Sequence, residues 1–100
     1  MNNRITVSID PDLEPLIPGF LDNRRKDIEA LAEALEAQQF ATVQSIGHSL
    51  KGVGGGYGFQ EISDIGASLE SAAQQQDAPG IRTLIESLRD YLDNVEVVYQ

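Results

Sequence analysis

The chain has 100 residues, 41% apolar and 23% charged, with sixteen acids against seven bases and a net charge of −9. That length holds one domain with one modest core, and the acidity argues against nucleic acid or anionic lipid as a main partner, since both need concentrated positive charge. With no cysteine and a single histidine, disulfides, thiolate metal sites, cysteine nucleophiles and a multi-histidine metal site within one chain are excluded together.

No apolar run approaches the roughly eighteen residues of a membrane span. The opening Met1-Asn2-Asn3-Arg4 lacks the basic-then-apolar layout of a signal peptide, so the expected location is the cytoplasm. Residues 4–9 alternate, with Ile5, Val7 and Ile9 apolar. This suits an extended lead-in over residues 1–9 but is too short to found a sheet. From Asp10 onward the period becomes helical, with Asp10 as a cap and Pro11 in the first turn. Leu13, Leu16, Ile17, Phe20, Leu21, Ile28, Leu31 and Leu35 form the first stripe. Pro18 should kink or restart that helix after Ile17, because its ring removes a hydrogen bond to the preceding turn.

The second stripe is Val43, Ile46, Gly47, Leu50, Val53, Gly54 and Tyr57, and the third is Ile62, Ile65, Leu69, Ala72 and Ala73. The fourth runs Ile81, Leu84, Ile85, Leu88, Tyr91, Leu92 and Val95, opened by Asp77 as N-cap with Pro79 in its first turn. Four such segments with short connections predict an all-α fold, an antiparallel up-down four-helix bundle over residues 10–98. Gly58 is placed to end the second helix in a left-handed conformation. The joint at Ala37-Gln38-Gln39-Phe40 has no glycine, proline or good cap. A break is placed there because one helix of about forty residues would be far too long for a small domain.

With Leu50 at the centre of the buried face of the second helix, His48 falls at about 160°, nearly opposite the core. Gln44, Gly52 and Gly55 land beside it, and Lys51 lies on the flank at about 100°. Each glycine inside a helix costs roughly 1 kcal/mol against alanine. The ordinary account is fraying before a glycine turn, or close packing for the two that face inward, Gly47 and Gly54. It does not account for Gly52, which faces water. A backbone stripped of side chains around an exposed histidine makes sense if another protein must reach the imidazole closely.

The segment from His48 to Phe59, HSLKGVGGGYGF, resembles the signature of histidine-containing phosphotransfer (HPt) domains of phosphorelays, H-x-x-K-G followed by small residues and a glycine before the next helix. The likeness extends to Leu69-Glu70-Ser71-Ala72-Ala73 and to the spacing of all four stripes, about residues 10–98. Gln39 departs from the family, which often has an aspartate there, and this weakens a cap without touching the site. The resemblance implies a four-helix phosphocarrier, not a self-contained enzyme. Its histidine takes a phosphoryl group from an aspartyl phosphate on one receiver domain and passes it to an aspartate on another response regulator. The implied partners are receiver domains or a hybrid sensor kinase, met by a monomer. Magnesium belongs to the partner receiver, so the chain itself needs no cofactor and no metal.

His48 is then the phosphorylated residue, through Nε2, since a neutral imidazole is a good nucleophile near pH 7. Lys51 is placed to neutralise the phosphoryl oxygens. Glu70 lies twelve residues past Gly58 and His48 ten before it, so an antiparallel hairpin puts them at similar heights. A carboxylate accepting from Nδ1–H would fix the tautomer that leaves Nε2 free. Gln44, Gly52 and Gly55 make the expected docking face. Two alternatives stay open: direct phosphorylation by the ATP-binding domain of a histidine kinase, and a helical docking module that is never phosphorylated.

Overall fold

The computed structural model describes residues 4–100, so the first three residues of the expected lead-in lie outside the described residues. A strand β1 (Ile5–Ile9) leads into a 3-10 turn (Pro11–Leu16), then α1 (Ile17–Glu36), α2 (Phe40–Gly56), α3 (Gln60–Gln74), α4 (Ala78–Asn94) and a strand β2 (Val95–Tyr99). The helices make a bundle in which α1 touches α2, α2 touches α3, α3 touches α4 and α4 returns to α1. Helices α2 and α3 run in opposite senses, because Gly54 faces Ser63 while Gly47 faces Gly66 and Glu70.

The buried positions of each helix follow the helical period, and most were readable as stripes. Ile17, Phe20, Ile28, Leu31 and Ala34 face inward from α1, Val43, Gly47, Leu50 and Gly54 from α2. Ile62, Ile65, Gly66, Leu69 and Ala73 face inward from α3, and Ile81, Ile85, Leu88, Tyr91 and Leu92 from α4. Leu16 is the exception in the first stripe, at 53% exposure. It closes the 3-10 turn that precedes α1. Pro18 does restart the helix: α1 begins at Ile17 with the proline in its first turn, where the missing N–H costs nothing. Phe20 stacks on Tyr57 at 4.4 Å and on Phe59 at 5.2 Å between ring centroids, and this ties α1 to the end of α2.

Three helices end in the same way. At each C-terminus a left-handed residue turns the chain, and its own N–H and the next one satisfy two of the last carbonyls. After α2 the turning residue is Gly58 (φ 90°), with Phe59 N–H donating to the Gly54 carbonyl at 2.8 Å. After α1 it is Gln38 (φ 58°), with Gln39 N–H donating to Ala34 at 2.8 Å. After α3 it is Gln76 (φ 54°), with Asp77 N–H donating to Ala72 at 2.9 Å. Hence the joint without a signal in sequence is a real break, held by a glutamine in a conformation that costs it about 1–2 kcal/mol. Asp77 caps α4 as its sequence promises, accepting from the Gly80 N–H at 3.0 Å. Gln39, by contrast, gives α2 no side-chain cap.

The strands correct the sequence expectation at both ends. Ile5–Ile9 does found a sheet, because its partner lies at the far end of the chain: β1 pairs in parallel with β2, from Ile5 opposite Val95 to Ile9 opposite Tyr99. Parallel strands need a long crossover, and here the four helices supply it. Val95 therefore belongs to the strand and not to the fourth helical stripe. Ile9 is buried at 2% exposure, and Ile5, Val7, Val95, Val97 and Tyr99 pack against the core, while Thr6, Ser8 and Glu96 face water. Arg25 binds α4 where it gives way to β2, donating to the Leu92 carbonyl at 3.0 Å and pairing with Asp93 at 3.0 Å.

Replacing Gln38 with glycine removes the left-handed strain, and we expect a gain of about 1 kcal/mol; urea unfolding measures it, and an unchanged midpoint would contradict the strain. Burial, with repulsion from Glu61 as the lesser cause, pushes the Tyr91 phenol up from 10 to about 12. The unfolded chain gives up that proton near pH 10. The contribution of Tyr91 is therefore complete below pH 10 and is lost as pH rises towards 12. Unfolding at pH 9 and pH 11 should show that loss in the wild type and a smaller one in Tyr91→Phe.

Candidate functional site

The histidine stands on the solvent side of α2 with its side chain 73% exposed, while its neighbour Gly47 and Leu50 two residues on are buried. Glu70 comes from the facing helix α3 and is only 21% exposed. Its Oε2 lies 2.9 Å from His48 Nδ1, and its Oε1 lies 3.9 Å from Lys51 Nζ. One carboxylate thus holds the imidazole and the ammonium, which sit three residues apart on the same side of α2. The 2.9 Å contact has hydrogen-bond length. With the ring proton on Nδ1, that N–H donates to Glu70 and the Nε2 lone pair is left for other chemistry.

The backbone explains how residues from two helices come so close. A methyl group added at Gly47 would stand 2.8 Å from the Glu70 amide nitrogen and 2.8 Å from the Gly66 carbonyl oxygen. One added at Gly66 would stand 2.5 Å from the Lys51 amide nitrogen and 2.7 Å from the Gly47 carbonyl oxygen. Glycine on both sides is what lets the two backbones meet. Further along, Gly54 makes a similar approach to Ser63, at 2.5 Å from its amide nitrogen. The Ser63 hydroxyl adds a lateral tie, donating to the Lys51 carbonyl at 2.7 Å.

The other sequence candidates fall into two groups. Gln44 is half-buried and lines a shallow groove with Ala41, Ser45, His48 and Glu70. Gly52 and Gly55 are exposed; a methyl at Gly52 would meet nothing within 4 Å, and one at Gly55 would only touch the Ser63 hydroxyl at 3.8 Å. Gly56 is equally open. No internal packing requires glycine at positions 52 and 56, whereas the packing does require it at 47 and 54.

Sequence reasoning passed over Gly66, Ser63 and Ser45. The signal for Gly66 was available: it falls one turn before Glu70, between Ile65 and Leu69 of the apolar stripe, where a larger residue would be ordinary. Among the described residues, no group of three or more histidine, aspartate or glutamate side chains is arranged to hold a metal ion. None of the described helices is long and apolar enough to cross a membrane.

No curated protein and no solved structure matches the chain. A family model described as Hpt domain does match, over residues 16–97, a stretch that takes in all four helices together with His48, Lys51 and Glu70. The chain therefore belongs to the Hpt domain family, the phosphocarrier modules of histidine phosphotransfer in two-component phosphorelays.

Proposed function

We propose that His48 is the phosphorylated residue, taking a phosphoryl group from an aspartyl phosphate of one receiver domain and giving it to an aspartate of another. The observation that carries this reading is the exposed imidazole anchored through Nδ1, 2.9 Å from a carboxylate on the facing helix. In the forward step the Nε2 lone pair attacks phosphorus and the bond between phosphorus and the aspartyl oxygen breaks, leaving a carboxylate on the donor. The ring becomes a phosphoimidazolium, whose positive charge Glu70 stabilises through the Nδ1–H it already faces. The return step reverses these bonds on a second receiver.

Lys51 supplies a flexible positive charge within reach of the phosphoryl oxygens. Before transfer it lies near Glu70, so it is kept beside the reacting atom instead of ranging through solvent. Gln44 stands next to the ring, and Gly52 and Gly55 leave the helix surface low enough for a receiver to settle against it. The receiver brings the magnesium ion and the reacting aspartate, and this chain contributes no metal ligand. A monomer working in the cytoplasm alongside those partners belongs to the same proposal.

Incubating the protein with a small phosphoramidate donor should add one phosphoryl group, labile in acid and stable in base, that maps to His48 by peptide mass. A group that maps elsewhere, or that persists in His48→Gln, would overturn the reading. Lys51→Ala should keep the wild-type unfolding midpoint, because the side chain is half in water, and should slow transfer by roughly tenfold.

Gly52→Gln separates docking from chemistry. The substitution meets open space and improves helix propensity by up to roughly 0.5 kcal/mol, so the fold should gain slightly. Phosphorylation by the small donor should persist, while transfer from a receiver falls by about tenfold or more, since small misplacements of reacting atoms cost rate steeply. Normal receiver transfer in a stable Gly52→Gln protein would show that the bare face has no part in docking.

A further inference from the structure

We propose that Gly47 and Gly66 are positioning residues for the His48–Glu70 pair: their mutual contact sets the spacing of α2 and α3 that holds Nδ1 and Oε2 within hydrogen-bond reach. The inference deepens the phosphocarrier reading and rests on it for its effect on transfer, but the geometry it concerns exists in the unphosphorylated protein.

Gly47 precedes His48 in the chain and abuts the amide nitrogen of Glu70 itself, at 2.8 Å from an added Cβ. Gly66 lies one turn before Glu70 and abuts the amide nitrogen of Lys51 itself, at 2.5 Å from an added Cβ. The contact is reciprocal, since the Gly47 site also meets the Gly66 carbonyl at 2.8 Å and the Gly66 site the Gly47 carbonyl at 2.7 Å. Each glycine thus seats its helix on the backbone of a residue whose side chain belongs to the His48–Glu70–Lys51 cluster. The obstructing atoms are mostly helix backbone, which cannot swing aside as the end of a long side chain can.

A methyl at either position must reach ordinary contact distance, about 3.5 Å or more between heavy atoms. The two helices then separate by roughly 1 Å locally, and a contact of 2.9 Å opens to about 3.9 Å, outside hydrogen-bond range. Glu70 has little freedom to follow, with its side chain only 21% exposed and its Oε1 facing Lys51. Ser63 holds the two backbones together one turn further along, but it bonds a carbonyl and leaves the carboxylate distance unset.

The test reads the imidazole directly, through the side-chain nitrogen shifts of 15N-histidine-labelled protein near pH 8, without phosphate. Wild type should show the Nδ1–H tautomer in excess, and Glu70→Ala should move the balance towards Nε2–H. Gly66→Ala and Gly47→Ala should each reproduce at least half of that movement with Glu70 still present. Gly54→Ala loosens the same helix pair about 10 Å away along α2, so it should lower stability and move the tautomer by less than a fifth as much.

Glu70→Asp is the second variant, because it adds no bulk at the crossing and draws the carboxylate back by one methylene. With the spacing held by the glycines, the shorter side chain loses the ring and the tautomer shifts as in Glu70→Ala. A folded Gly66→Ala or Gly47→Ala with the wild-type tautomer overturns the proposal, as does a large shift in Gly54→Ala. If both crossing variants fail to fold, a wild-type tautomer in Glu70→Asp overturns it instead. Expected tautomer shifts in a protein whose His48 takes no phosphate would leave the positioning role standing and remove the phosphocarrier reading.

Discussion

The close contact of α2 with α3 is the constraint on which the rest of the molecule depends. Packed helices usually keep their axes 8–10 Å apart, at a distance set by the side chains between them. Here glycines stand where side chains would be, and the approach is limited by backbone meeting backbone at Gly47, Gly54 and Gly66. Such contact leaves little tolerance, because a peptide group cannot rotate away from a clash. The histidine, the lysine and the glutamate inherit their mutual distances from it. A cluster assembled through long side chains alone would vary with every rotamer; this one is referred to two rigid backbones.

The same residue type is free of any packing demand on the other side of α2. A methyl added at Gly52 or Gly56 would meet nothing within 4 Å, and these glycines lower the propensity of a helix that already lacks a side-chain cap at its start. With roughly 1 kcal/mol lost at each interior glycine, α2 would be a poor helix in isolation. Tertiary contacts hold it: Val43 and Leu50 are buried at 0% and 1% exposure, and the stacked rings of Phe20, Tyr57 and Phe59 secure its final turn. A helix weak by sequence is thus closely bound to its neighbours, and it carries the exposed His48.

Much of this was legible in the sequence because it depends on period and on local chemistry. The four stripes gave the buried faces, Asp77 and Gly58 gave two helix boundaries, and the wheel placed His48 in water. What was hidden depends on partners distant in the chain or on conformations that side chains do not advertise. Gln38 and Gln76 adopt positive φ angles that glycine or asparagine would have announced. Ile5–Ile9 could not be recognised as half of a sheet from its own five residues, since Val95–Tyr99 reads equally well as the tail of a helix. Glu70 and His48 could be set at similar heights by counting from Gly58, but the depth of the helix contact is a property of Gly66 against Gly47, a pair visible only once both helices are packed.

The strand pair that joins the two ends of the chain has a mechanical consequence. Because β1 and β2 are parallel and in register from Ile5–Val95 to Ile9–Tyr99, the chain enters at one end of the ladder and leaves at the other. A pull applied through the two termini therefore loads the five paired positions in shear, all together, instead of peeling them apart one at a time. Tension reaching the domain through its flanking peptide meets this ladder before it meets any helix. The spacing of α2 and α3, and with it the geometry around His48, is shielded from strain until the two strands have slid past each other.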